Sequence, residues 1–117
     1  MTDSACPLHE QRCLPCQAGA SPLAGKELED CLHRLAGGWA SVGAQRIEKE
    51  FTFRNFREAL DFTIRVGELA EEVGHHPTIT LSWGKVKIAL WTHKIHGLAE
   101  ADFVLAAKID RLPVAAK

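Results

Sequence analysis

The chain has 117 residues, 46% of them hydrophobic and 25% charged, with a formal net charge of -1. That length suits one domain around one core, and the mix is that of an ordinary globular protein. Its Lys and Arg residues are scattered without a basic stripe, which argues against nucleic acid, and no apolar run approaches the ~20 residues that span a bilayer.

Residues 1–22 read as a poorly ordered N-terminal arm. They hold three of the five prolines and three of the four cysteines, with few large apolar side chains. The first residues lack a basic segment followed by an apolar one, so the expected location is the cytoplasm. Cysteines there are more often thiols or metal ligands than disulfides. Cys13-Leu14-Pro15-Cys16 is a single CxxC, with Cys6 and His9 upstream as further possible zinc ligands. Half a zinc motif reads first as incidental thiols on a mobile arm. A domain is expected over 23–112, followed by a short tail over 113–117.

Within the domain, 24–36 reads as a helix with Leu28, Cys31, Leu32 and Leu35 on one stripe, stopped by Gly37-Gly38. Short strands follow over 39–42 and 46–53, joined by a Gly43-Ala44-Gln45 turn, with Phe51 and Phe53 on one face. Asn55 and Glu58 form a candidate capping box for a helix that runs to about Val73. Phe56, Leu60, Thr63, Val66, Gly67, Ala70 and Val73 line its stripe, and Phe62, Ile64 and Leu69 widen it. A stripe that wide points to an oligomer interface as well as a core. The clearest strands are 78–83 and 86–91. Ile79, Leu81 and Trp83 alternate with polar residues, as do Val86, Ile88 and Leu90 with Lys87, Ala89 and Trp91. A last helix over 98–109 turns Leu98, Phe103, Ala106 and Ile109 inward. The expected class is α+β: a two-layer domain of order α-β-β-α-β-β-α, with a four-stranded antiparallel sheet covered on one face by helices.

The chemistry gathers at His75-His76-Pro77 and Thr92-His93. Imidazole, with an unperturbed pKa of about 6.5, exchanges protons near neutrality. Two hairpin registers are open. A Gly84-Lys85 loop sets His76 opposite His93, and a Trp83-Gly84 loop sets Gly74 there. Either brings His93 beside the histidine pair. Adjacent His75 and His76 would point apart in an extended chain, and neither an HExxH spacing nor a partnered CxxC lies nearby, so metal is not expected at this cluster. Glu71 and Asp102 are available to orient imidazoles, although Asp102 in a first helical turn is also favoured by the macrodipole. Trp39, Trp83 and Trp91 read as core or interface area before any stacking role.

These residues resemble the pterin-4a-carbinolamine dehydratase family. The likeness rests on Glu71-Glu72-Val73-Gly74-His75-His76-Pro77, Val86, Trp91-Thr92-His93, Gly97-Leu98 and Ala101-Asp102-Phe103, and extends over about 23–109. The CxxC arm resembles the N-terminal extension of many bacterial members. The resemblance implies helices on one side of a four-stranded sheet, assembled as homodimers or homotetramers. It implies dehydration of 4a-hydroxytetrahydropterin to quinonoid dihydropterin, which recycles the cofactor of aromatic amino-acid hydroxylases. Neither metal nor organic cofactor is implied, nor any nucleic-acid or membrane partner. Position by position, His75 and His93 match the family's acid–base histidines, and His76 matches the histidine that orients the pterin. Glu71 and Asp102 match supporting carboxylates. Gly74 departs from the acidic or polar residue common before His-His, and Ala99 from a helix-capping Thr or Ser. His96 stands where small or polar residues are common. The motif equally fits action on molybdopterin or another pterin, and some members serve as dimerisation partners of a transcription factor.

Overall fold

In the computed structural model of the chain, the described residues are 22–35 and 37–112. The expected arm, its CxxC with Cys6 and His9, and the expected tail lie outside them, apart from Pro22.

Three helices and four strands follow in the expected order. They are α1 (Gly25–His33), β1 (Ala40–Val42), β2 (Arg46–Thr52), α2 (Phe56–Val73), β3 (Thr78–Ser82), β4 (Lys85–Leu90) and α3 (Glu100–Asp110). The strands form one antiparallel sheet in the order β1-β2-β4-β3. Its alternation sorts the two faces. Ile47, Val86, Ile88 and Leu90 are fully buried beneath the helices. Arg46, Glu48, Thr78, Thr80 and Lys87 stand on the opposite face, with Thr80 paired to Lys87 across the ladder.

Asn55 caps α2 by accepting the Glu58 N–H at 2.9 Å. Only half of the expected capping box forms, because the Glu58 carboxylate accepts the Arg54 N–H instead. The buried residues of α2 are Ala59, Phe62, Val66 and Ala70. Val66 and Ala70 are on the expected stripe and Phe62 is one of the residues expected to widen it, with Leu60, Thr63, Gly67 and Val73 half-buried beside them. Phe62 packs its ring on Phe51 and Phe53, with centroids 4.7 and 5.2 Å away. Phe56 and Ile64, expected on or beside the stripe, are exposed. Trp83 also departs from expectation. β3 ends at Ser82, and Trp83 lies in the hairpin turn, 68% exposed.

Expected with one inward stripe, α3 is buried on nearly all sides: Val104, Leu105 and Ala107 join Phe103, Ala106 and Ile109. A helix apolar all round is an internal one, and α3 lies against both α1 and α2. Its C-terminal end is pinned to the sheet through Asp110, which accepts from Lys49 Nζ at 2.7 Å and Trp39 Nε1 at 2.9 Å. Fixing that end fixes the other, where Asp102 sits. Cys31 on α1 is half-buried. Burial, and next the Glu100 carboxylate, push its thiol above the ordinary value, so it stays protonated and unreactive.

Candidate active site

Gly74 ends α2 in the left-handed conformation (φ 75°), its N–H returning to the Ala70 carbonyl at 2.9 Å. Glycine adopts that geometry without the penalty a Cβ brings. The departure at Gly74 therefore suits the turn that launches His75. His76 precedes Pro77, which favours extended backbone, and successive side chains then point to opposite sides. His75 turns inward and His76 outward.

The β3–β4 hairpin closes with Ser82 opposite Lys85, so Trp83-Gly84 is the loop. Of the two registers open in the sequence, this is the one that projects Gly74 toward His93. Continued past Thr78 and Ala89, it brings His75 level with Thr92. The two converge on one carboxylate. Asp102 accepts His75 Nε2 on Oδ1 at 2.6 Å, and on Oδ2 it accepts the Thr92 hydroxyl at 2.8 Å and the Ala99 N–H at 2.9 Å. The Asp102 side chain is fully buried and the His75 side chain 18% exposed.

The electrostatics follow from that donor set. Ala99 has no side-chain oxygen to cap α3, so Asp102 reaches back to the orphan N–H. The N-terminal dipole of α3 favours the negative charge as well. As a carboxylate, Asp102 can only accept on its two oxygens. His75 must then offer Nε2–H to it, which leaves the Nδ1 lone pair free.

His76 makes a bond of equal length to Glu71, 2.6 Å, but with side chains 59% and 80% exposed. His93 opens a single 3-10 turn, His93–Ile95, closed by His96 in the left-handed region (φ 55°) and by paired bonds between Thr92 and Gly97. Gly97 is required by close approach, since a Cβ there would meet Pro22 at 2.7 Å. The chain thus enters the domain against the turn that carries His93. Trp91 donates its indole N–H to His93 Nδ1 at 3.2 Å, the rings lying 4.8 Å apart.

On the open face of the sheet, beside Trp91, lies a recess of about 480 Å³ lined also by Arg46, Glu48, Thr80, Lys87 and His96. Arg46, and next Lys87, hold the Glu48 carboxyl below its ordinary value. The recess does not include the three motif histidines; Trp91, which lines it, also contacts His93.

All five sequence-derived site residues are thereby located. His75 and Asp102 are joined directly, and His76 and Glu71 form a separate pair at the surface. His93 stands one residue beyond Thr92, held by Trp91. Sequence reasoning placed Thr92 in the motif and read Trp91 as core or interface area, but gave neither a hydrogen-bonding role at the site. A signal for Thr92 was available, since a hydroxyl next to a motif histidine at a strand end is placed to serve a buried acceptor. Among the described residues no group of three or more His, Cys, Asp or Glu side chains is arranged to hold a metal ion, and no helix is long and apolar enough to cross a membrane.

A family model described as pterin 4 alpha carbinolamine dehydratase matches residues 21–112. A Rubrobacter xylanophilus protein provisionally named a pterin-4-alpha-carbinolamine dehydratase is 55% identical over 105 residues, covering 90% of this chain and 97% of its own. An Alkaliphilus metalliredigens protein with the same provisional name is 50% identical, covering 89% of this chain and 94% of its own. Among solved structures, the Brucella melitensis transcriptional coactivator/pterin dehydratase superimposes with a TM-score of 0.71 at 31% identity, over 77% of this chain and 96% of that one. A pterin dehydratase-like protein described as a RuBisCO assembly factor of the alpha-carboxysome gives 0.55 at 28% identity, over 62% of this chain and 86% of its own.

Proposed function

The chain belongs to the pterin-4a-carbinolamine dehydratase family, and we propose that it dehydrates 4a-hydroxytetrahydropterin to quinonoid dihydropterin by histidine acid–base chemistry. The observation that carries this reading is the buried Asp102, which orients His75 through a 2.6 Å bond. A proton on N5 and a hydroxyl on the neighbouring C4a must both leave the substrate. His75 Nδ1 is the acceptor for the N5 proton, and the imidazolium so formed is stabilised by the Asp102 anion. His93 presents its Nε2–H to the departing hydroxyl. The His75 imidazolium then releases the proton taken from N5, which with the hydroxide expelled from C4a makes one water, so the site returns to its starting charge. Positioned acid–base catalysis of this kind is worth about 10²–10⁴-fold. Glu71 holds His76 at the rim, where it would orient the pterin. The reaction needs no resident cofactor, and its place is the recycling of the pterin used by aromatic amino-acid hydroxylases.

The test is a coupled assay. A pterin-dependent hydroxylase generates the carbinolamine, and formation of quinonoid dihydropterin is followed with wild-type protein and with His75→Ala plus His93→Ala. Acceleration by wild type alone supports the assignment; equal rates from both folded proteins overturn it.

A second reading draws on exposed Phe56 and Ile64 on α2 and on the coactivator named among the structural neighbours. α2 would then carry self-association, or association with another protein. That role should survive His75→Ala, which catalysis should not.

A further inference from the structure

Trp91 lines the recess and donates to His93. Its indole N–H points at His93 Nδ1, 3.2 Å away, and the rings lie 4.8 Å apart at 54°. Indole nitrogen donates only, so Nδ1 must be the accepting nitrogen and the ring proton of neutral His93 must sit on Nε2. We propose that Trp91 is a positioning residue that holds the His93 ring turned so that Nε2–H faces the leaving hydroxyl.

The proposal rests on the dehydratase reading for its catalytic meaning, but not for its geometry. It assigns the two imidazoles opposite orientations by the same logic. At His75 a carboxylate acceptor binds Nε2–H and frees the Nδ1 lone pair. At His93 a donor occupies Nδ1 and presents Nε2–H. One ring is set to take a proton and the other to give a hydrogen bond, which is the pairing that loss of water across adjacent atoms requires. His93 is exposed, so without Trp91 its ring would sample other rotamers and tautomers in water.

The test uses the full chain labelled with ¹⁵N. Trp91→Phe keeps the ring and removes the donor, and it identifies the Trp91 indole signal among the three tryptophans. In wild type that signal should shift with pH as His93 takes a proton on Nδ1 and the bond breaks. The shift should vanish in His93→Ala, which separates it from any effect of His96 on the same turn. In the dehydratase assay Trp91→Phe should lose about five- to ten-fold in kcat, the scale of one oriented hydrogen bond, with KM changed less than about two-fold. An indole signal indifferent to pH, or a shift that persists in His93→Ala, overturns the proposal. So does an unchanged kcat in Trp91→Phe. The NMR measurement needs no substrate. A titrating indole in a protein without dehydratase activity would therefore reject the function and keep the pair.

Discussion

Two histidine–carboxylate pairs begin at neighbouring residues and have the same length. His75–Asp102 and His76–Glu71 both measure 2.6 Å. They differ in burial: the first carboxylate is fully covered and holds two further donors, while the second is 80% exposed and its histidine 59%. Equal bond length therefore says little about what either pair contributes. In water a pair gains little beyond what each partner already has from solvent. In the interior, losing one partner strands the others without acceptors.

That difference orders the expected effects, of which the largest is on rate. His75→Ala should lower kcat by about 10²–10⁴-fold, the range for a positioned acid–base group. His76→Ala should act chiefly on KM, because His76 is turned outward to the rim. Steady-state kinetics of the two variants checks this, and equal kcat losses would erase the distinction drawn between neighbouring imidazoles.

The next effect is on folding. Asp102→Ala removes the acceptor from the Thr92 hydroxyl, the Ala99 N–H and His75 at once. Urea denaturation should show a loss of roughly 3 kcal/mol, the size of a broken buried polar network. A loss below about 1 kcal/mol would mean that water enters and replaces the carboxylate.

A smaller effect, of opposite sign, comes from the turn beyond His93. His96 and Ala44 both hold positive φ, 55° and 56°. A Cβ in that region costs about 1 kcal/mol, which glycine removes and partly returns through a more flexible unfolded chain. His96→Gly and Ala44→Gly should therefore each stabilise the fold by about 0.5–1 kcal/mol in the same denaturation assay. A gain at Ala44 alone would show that the His96 side chain makes favourable contacts in the recess.

Much of this was legible in the sequence because period-2 and helical patterns report burial directly. Ile79, Leu81, Val86, Ile88 and Leu90 fall on the inner face as their alternation requires. What was not legible depended on tertiary choices. The stripe of α2 holds apolar residues on more than half its circumference, and contact with Phe51 and Phe53 selects Phe62 over Phe56. Trp83 fits strand and turn equally, and the two-residue loop that ends β3 at Ser82 excludes it. Asp102 illustrates the limit best. It was readable as a carboxylate able to orient an imidazole, with the dipole as an equally good local explanation, but which histidine it serves, His75 from 27 residues away, was not.

The smallest expected effect is the sharpest test of the opening contrast. Glu71→Ala removes a carboxylate whose bond to His76 is as short as the one Asp102 makes to His75. His76, 59% exposed, remains in contact with water after the change, so no group is stranded and no buried charge is left. The unfolding free energy should move by less than about 0.5 kcal/mol, as surface ion pairs do. The catalytic consequence should be confined to substrate binding, since Glu71 touches only the outward histidine. A Glu71→Ala variant as unstable as Asp102→Ala would require that something covers this rim in solution, and self-association that buries it would then be the first property to measure, by sedimentation.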